Sequence, residues 1–197
     1  METPDDDGTG RSAGADGIVQ DPDGAEGSER GGWFAPPGSP DRDAWVVVET
    51  AEAMAADALL FGRHSYEWFA SRWADRPGAW ADQLRSLPKY VVSSTMADDA
   101  ATWGPTTVLR GDAVTEVTAL KAERPGEIVV YASYRLGQAL LERDLVDQLR
   151  LFVYPVILGD GVRLFGPTSV SKPVRLIESR TVGTNLSFLT YDVVRES

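Results

Sequence analysis

The chain has 197 residues, with 30 acidic and 19 basic side chains and a formal net charge of −11. An apolar fraction of 43% with 9% aromatics belongs to a domain with a real core and excludes a wholly disordered chain, while the acidic excess argues against nucleic acid as the main partner. The absence of cysteine excludes disulfides, thiolate metal sites and cysteine nucleophiles; with no run of 18 apolar residues and no basic-then-apolar leader, the expectation is a cytoplasmic protein without a membrane partner.

Residues 1–44 hold 11 acidic and 3 basic residues, most of the net charge. Such a segment buries too little apolar area to offset its ordering entropy. Residues 1–15 are therefore expected to be a disordered acidic tail, ahead of a domain over residues 16–197. Residues 16–40 contain Ile18, Val19, Trp33 and Phe34 among turn formers, which predicts a long docked loop or lid. Trp33, in its Gly/Pro-rich part, is the candidate substrate contact.

The body begins with an Ala-rich helix over residues 49–57, followed by an apolar strand, Ala58-Leu59-Leu60-Phe61, stopped at Gly62. Tyr66, Phe69, Ala70 and Trp73 fall at helical spacing and predict a helix over residues 64–73; residues 79–87 predict another. Strands are expected at 90–92, 106–109 and 128–131, with helices over 112–123 and from Leu136 to about Arg143. A strand over 149–157, a Gly-rich turn to Gly166, and a strand pair over 174–182 and 186–194 complete the chain. Strand–helix alternation up to Arg143 implies βαβ units, so the fold class is α/β with a mixed, mostly parallel sheet flanked by helices and an antiparallel terminal pair.

Three strand-to-helix junctions carry the chemistry. In open α/β sheets, ligands bind beyond the carboxyl ends of parallel strands, where helix N-termini offer free N–H groups to anions. The first junction is Gly62-Arg63-His64-Ser65, with a planar cation beside a Gly. The second is Ser93-Ser94-Thr95, three hydroxyls in a row. The third is Ala132-Ser133-Tyr134-Arg135-Leu136, in which Ser133 caps the helix or bonds an oxyanion. A cation in the first helical turn opposes the dipole, and a bound phosphate would remove that conflict. His64, the only histidine, is an exposed helix-start residue or an anion contact, and no metal is expected.

Ala-Leu-Leu-Phe-Gly-Arg-His-Ser-Tyr-Glu, from Ala58, resembles the G-R-x-[ST]-Y-E segment of dihydrofolate reductase-like proteins. The stretch from Leu145 to Phe165 is similar to the L-V-D-E-L-R-L…P-V-x-L-G-x-G-x-x-L-F pattern of the riboflavin-biosynthesis reductase domain, the RibD C-terminal domain family, and Asp16-Gly17 with Gly31-Gly32-Trp33 resembles the start of small stand-alone members. The resemblance implies a dihydrofolate reductase-like fold, NADPH as cofactor, and hydride transfer to a small polar heterocyclic or sugar-linked substrate. It implies that the Gly62 junction faces the adenosine and phosphates, Ser93–Thr95 the adenine or 2′-phosphate side, and residues 132–136 the pyrophosphate. Asp16, Glu49 and Glu52 are the candidates for completing the proton transfer. A homodimer is a possible assembly, and a non-catalytic nucleotide-binding or assembly module is the alternative reading. Two departures from the family stand out. Its E-G-G is replaced by Tyr131-Ala132-Ser133, and residues 5–15, where the family has an apolar strand, are expected to be unable to pair as a buried central strand. The latter implies a disrupted or misassigned start.

Overall fold

The computed structural model describes residues 12–195. Among the described residues, eight strands and five α-helices follow one another as β1 (Ser12–Gly14), α1 (Pro40–Ala55), β2 (Ala58–Gly62), α2 (Arg63–Trp73), α3 (Ala79–Ser86), β3 (Lys89–Val92), β4 (Thr106–Leu109), α4 (Ala113–Glu123), β5 (Ile128–Val130), α5 (Tyr134–Glu142), β6 (Gln148–Tyr154), β7 (Val174–Val182) and β8 (Leu186–Val193). The strands form two four-stranded sheets, ordered β1-β6-β8-β7 and β4-β3-β2-β5. The chain divides into two compact units, one from residues 48–145 and one from the flanking segments up to Val47 and from Val146. Among the described residues, no helix is long and apolar enough to cross a membrane.

The inner unit contains the wholly parallel sheet. β2 pairs with both β3 and β5, and β3 with β4, all parallel. The apolar run of β2 is buried on both faces, as the centre of a parallel sheet requires. Phe61, Tyr66, Phe69, Trp103 and Tyr131 form the aromatic core, with Phe69 stacked on Trp103 at 6.1 Å. Lys89 is also buried here. Its ammonium donates to the carbonyls of Arg85 (3.0 Å) and Leu87 (2.8 Å), which closes the C-terminal end of α3, and lies 4.7 Å above the Trp103 ring. Burial and then the Arg85 charge pull its pKa down to about 8.

The outer unit contains the mixed sheet, with β6–β8 and β7–β8 antiparallel and β1–β6 parallel. Phe34, Trp45, Phe152, Tyr154 and Phe188 make its core, and the Arg42 guanidinium covers the Phe34 and Trp45 rings. The β7–β8 turn is tied down by Asp41, whose carboxylate accepts from the backbone N–H of Thr184 and of Asn185. The Thr184 N–H is the main reason the Asp41 pKa is lowered.

Three expectations need correction. Residues 12–14 are folded: Ser12, Ala13 and Gly14 are buried and pair with Phe152, Val153 and Tyr154. They need no β-propensity, because the site admits only small residues; a Cβ on Gly14 would lie 2.9 Å from Asp16 Oδ1 and 3.0 Å from the Val156 carbonyl. Residues 1–11, where the acidic tail was placed, lie outside the described residues. The helix expected at 49–57 starts nine residues earlier, at Pro40, a residue preorganised for a first helical turn. Ser39 Oγ accepts from Arg42 N (3.2 Å), and Asp41 and Asp43 occupy the first turn. The loop over residues 16–40 is not a lid. It is fastened to the segment around 156–164: Val19 N donates to the Val162 carbonyl, Leu164 N to that of Gly17, and Val162 N to Gln20 Oε1.

Candidate functional site

β2, β3 and β5 run parallel and adjacent, so their carboxyl ends emerge together. Gly62 ends β2 and is level with Val92, the residue before Ser93. The loop after β5 reaches back to β2, where Gly62 N donates to Ser133 Oγ (3.0 Å) and Ser133 N donates to Ser65 Oγ (2.9 Å). The three junctions therefore lie on one rim of the sheet. The two reciprocal bonds hold the starts of α2 and α5 side by side.

Those two starts lack something the third helix of the rim has. α4 is self-capped: Asp112 accepts from Thr115 N (3.0 Å), and Glu116 accepts from Gly111 N (2.9 Å). α2 and α5 have no side-chain cap and no acidic residue in the first turn. Their first N–H groups have no intrahelical acceptor, and two helix dipoles point positive ends at the same place. Arg63 and Arg135 add cations; Arg63 lies 3.9 Å from Glu67 at the edge of ion-pair range, and Arg135 donates to the Tyr134 hydroxyl (3.1 Å). The rim thus presents an anion-sized cradle at α2 and α5, with α4 already satisfied by its own carboxylates.

The backbone of the third junction is strained. Ala132 (φ 48°) and Ser133 (φ 58°) are both left-handed, which costs a non-glycine residue roughly 1–2 kcal/mol each. Left-handed Ser133 followed by helical Tyr134 turns successive N–H groups inward, the geometry of an anion nest. Ala132→Gly is expected to relieve part of this strain, stabilising the protein by about 0.5–1 kcal/mol. A calorimetric or fluorescence melt checks it, and a lower Tm for the variant would mean the Ala132 methyl is needed for packing.

The other expected site residues have distinct fates. His64 is 87% exposed and 3.9 Å from Glu67, available at the rim but outside the latch. Ser93 Oγ is spent on its own turn, accepting from Thr95 N (3.3 Å) and Met96 N (3.0 Å), while Ser94 and Thr95 are exposed. Leu136 is buried under the first turn of α5. Glu49 and Glu52 are buried on one stripe of α1 with Ala53, where carboxylates rarely lie. Asp16, a member of the outer unit, is engaged by backbone donors. Its Oδ2 accepts from Gly159 N (2.7 Å) and Leu158 N (3.0 Å), bonds that favour the charged form, with the Gly159 bond the main cause of its lowered pKa. Trp33, the candidate substrate contact, is anchored. Its indole N–H donates to the Gln20 carbonyl (2.9 Å) and its ring meets Tyr154 edge-on at 5.3 Å, which leaves only ring surface for any ligand.

Arg110 and Gly111, at the end of β4, repeat the Gly/Arg pairing of the first junction and were missed in the sequence. The structure gives them a local role: Arg110 donates to the Met96 carbonyl (2.7 Å) and pairs with Asp98.

Comparison with known proteins bears on the same elements. A family model described as the RibD C-terminal domain matches residues 12–188. The uncharacterized protein YyaP of Bacillus subtilis is 25% identical over 142 residues, covering 68% of this chain and 73% of its own. A putative riboflavin biosynthesis protein from Shewanella is similar in structure, with TM-score 0.70 and 25% identity over 93% of this chain and 96% of that one. Dihydrofolate reductase from Enterococcus faecalis, solved with NADP(H), shares the fold at TM-score 0.53 and 14% identity, with 92% of each chain covered.

Proposed function

The chain belongs to the RibD C-terminal domain family, and on that premise we propose that it is an NADPH-dependent reductase acting on a small polar heterocyclic or sugar-linked compound. One observation carries the reading. Two uncapped helix N-termini, free of acidic residues and latched together through Ser133, meet at the rim of a parallel sheet. That is the donor set a dinucleotide pyrophosphate requires. A Cβ on Gly62 would meet nothing nearer than Ser133 Oγ at 3.8 Å, an ordinary contact, so no side chain crowds the strand end there.

In this reading the N–H groups of Arg63, His64 and Ser65 and of Tyr134, Arg135 and Leu136 hold the phosphates. Arg63 supplies a planar cation, and Ser94 and Thr95 offer exposed hydroxyls at the neighbouring strand end. The bound cofactor would supply the hydride from its nicotinamide ring. Glu49 and Glu52 remain the carboxylates to hold or deliver a proton, since Asp16 is committed to the turn at residues 158–159.

A thermal-shift titration tests the binding step. NADPH at 100 times its dissociation constant is expected to stabilise the protein by about 2.7 kcal/mol, a rise in Tm of roughly 5–10 °C for a chain of this size. Arg63→Ala is expected to weaken NADPH more than NADH; equal losses would remove Arg63 from the 2′-phosphate. The alternative, a nucleotide-binding module without turnover, is favoured by Tyr131, buried where riboflavin reductases carry an acid. NADPH oxidation with pterin, pyrimidine or carbonyl substrates distinguishes the two readings.

A further inference from the structure

Strand pairing alone does not fix the starts of α2 and α5 relative to each other. β2 and β5 are paired as far as Leu60 opposite Val130, and the chain then leaves β5 through the left-handed Ala132 and Ser133. α2 packs on β2, β3 and α3, and α5 on β2 and α4; among the described residues the two helices share no extended contact with each other. What spans them is a pair of serines. Ser133 Oγ accepts from Gly62 N, 71 positions away, and Ser65 Oγ accepts from Ser133 N, 68 positions away. Serine hydroxyls at a helix start ordinarily serve their own first turn. Ser133 is the N-cap of α5 and makes no cap there, and Ser65 lies in the first turn of α2. Both hydroxyls are instead exchanged across the gap, and both bonds close on Ser133.

We propose that Ser133 is a positioning residue whose two bonds lock the starts of α2 and α5 to one another, so that the rim selects a diphosphate over a single phosphate. The inference rests on the dinucleotide reading above and names the device behind it. A single phosphate engages one helix terminus and is indifferent to where the other lies. A diphosphate engages both, and gains from the second only where the two termini are already held at a fixed separation; otherwise binding must itself order them. An unlatched α5 start has two reasons to drift. The positive ends of two helix dipoles repel each other, and Ala132 (φ 48°) and Ser133 (φ 58°) gain backbone energy on leaving the left-handed region. The latch acts against both before any ligand arrives.

Titration calorimetry on the full chain with two probes, 2′-phospho-ADP-ribose and 2′,5′-ADP, tests this. Both carry adenosine and its 2′-phosphate, and only the first has a diphosphate. Ser133→Ala is expected to weaken 2′-phospho-ADP-ribose by about 10-fold or more and 2′,5′-ADP by less than about 2-fold. Ser65→Ala removes one of the two bonds and should weaken the same probe selectively. The double variant should lose less than the product of the single losses, because both residues act on one latch. If Ser133→Ala does not fold, Ser133→Gly, which adopts φ 58° without strain, carries the same test. Equal losses for the two probes would make the hydroxyl a direct phosphate ligand, and unchanged affinity for both would make the latch dispensable; either result overturns the proposal while the cofactor reading stands. A wild type that binds neither probe overturns both.

Discussion

Gly62→Asp is expected to raise the stability of the protein while abolishing its affinity for NADPH. Gly62 is the N-cap of α2 with φ −80° and ψ 159°, the extended geometry that a capping Asp adopts, and it makes no side-chain cap. A Cβ fits without a clash, its nearest atom being Ser133 Oγ at 3.8 Å. The carboxylate would accept from the first-turn N–H groups and complement the dipole, adding about 0.5–1 kcal/mol. It would also occupy the place reserved for the phosphates. Setting like charges together costs several kcal/mol, so affinity should fall at least 100-fold, about 2.7 kcal/mol. Melts with and without NADPH read both effects from one sample. A variant still shifted by NADPH as the parent is would remove the α2 terminus from the cofactor site. Loss of stability and binding together would indicate simple disruption.

Gly104→Ala is expected to cost about 3 kcal/mol or more. Gly104 adopts φ +63°, and its Cβ would lie 2.2 Å from the Arg85 carbonyl oxygen and 3.2 Å from Lys89 Nζ. That carbonyl is the one Lys89 caps at the end of α3. Backbone cannot yield as a flexible side chain can, so the substitution adds a steric clash to the left-handed strain and loosens a buried ammonium. Chemical denaturation gives the value; a loss under 1 kcal/mol would show that the loop before β4 repacks freely.

How far the sequence can be read depends on whether its local pattern and its tertiary setting agree. β2 and β4 are apolar or β-branched runs bounded by turn residues, and their limits are legible within a residue. Asp112 announces α4 because its cap is a local bond. The start of α1 is hidden by three successive β-branched residues, Val46-Val47-Val48, after a Gly/Pro-rich stretch, although Ser39-Pro40-Asp41 is a start signal. β1 is illegible because Ser-Ala-Gly earns its strand entirely from pairing with β6, far along the chain. The site divides the same way. A Gly or Ser after an apolar strand marks all three rim junctions. The Ser133 latch, the spending of Ser93 on its own turn, and the self-capping that sets α4 apart are side-chain bonds between distant or competing groups, which spacing does not encode. Asp16 was chosen for its residue type, and its use is decided by Gly159, 143 residues away.

The inner unit's sequence interrupts that of the outer unit, which has a consequence for biosynthesis. β1 emerges from the ribosome ahead of the inner unit, but its partner β6 follows after more than a hundred further residues. The inner parallel unit is continuous and holds all its own strand partners, so it can close while the outer segments wait. Premature termination after the inner unit is complete but before β6 would release a polypeptide with a finished inner core and an orphaned leading strand, a natural substrate for chaperones and proteases.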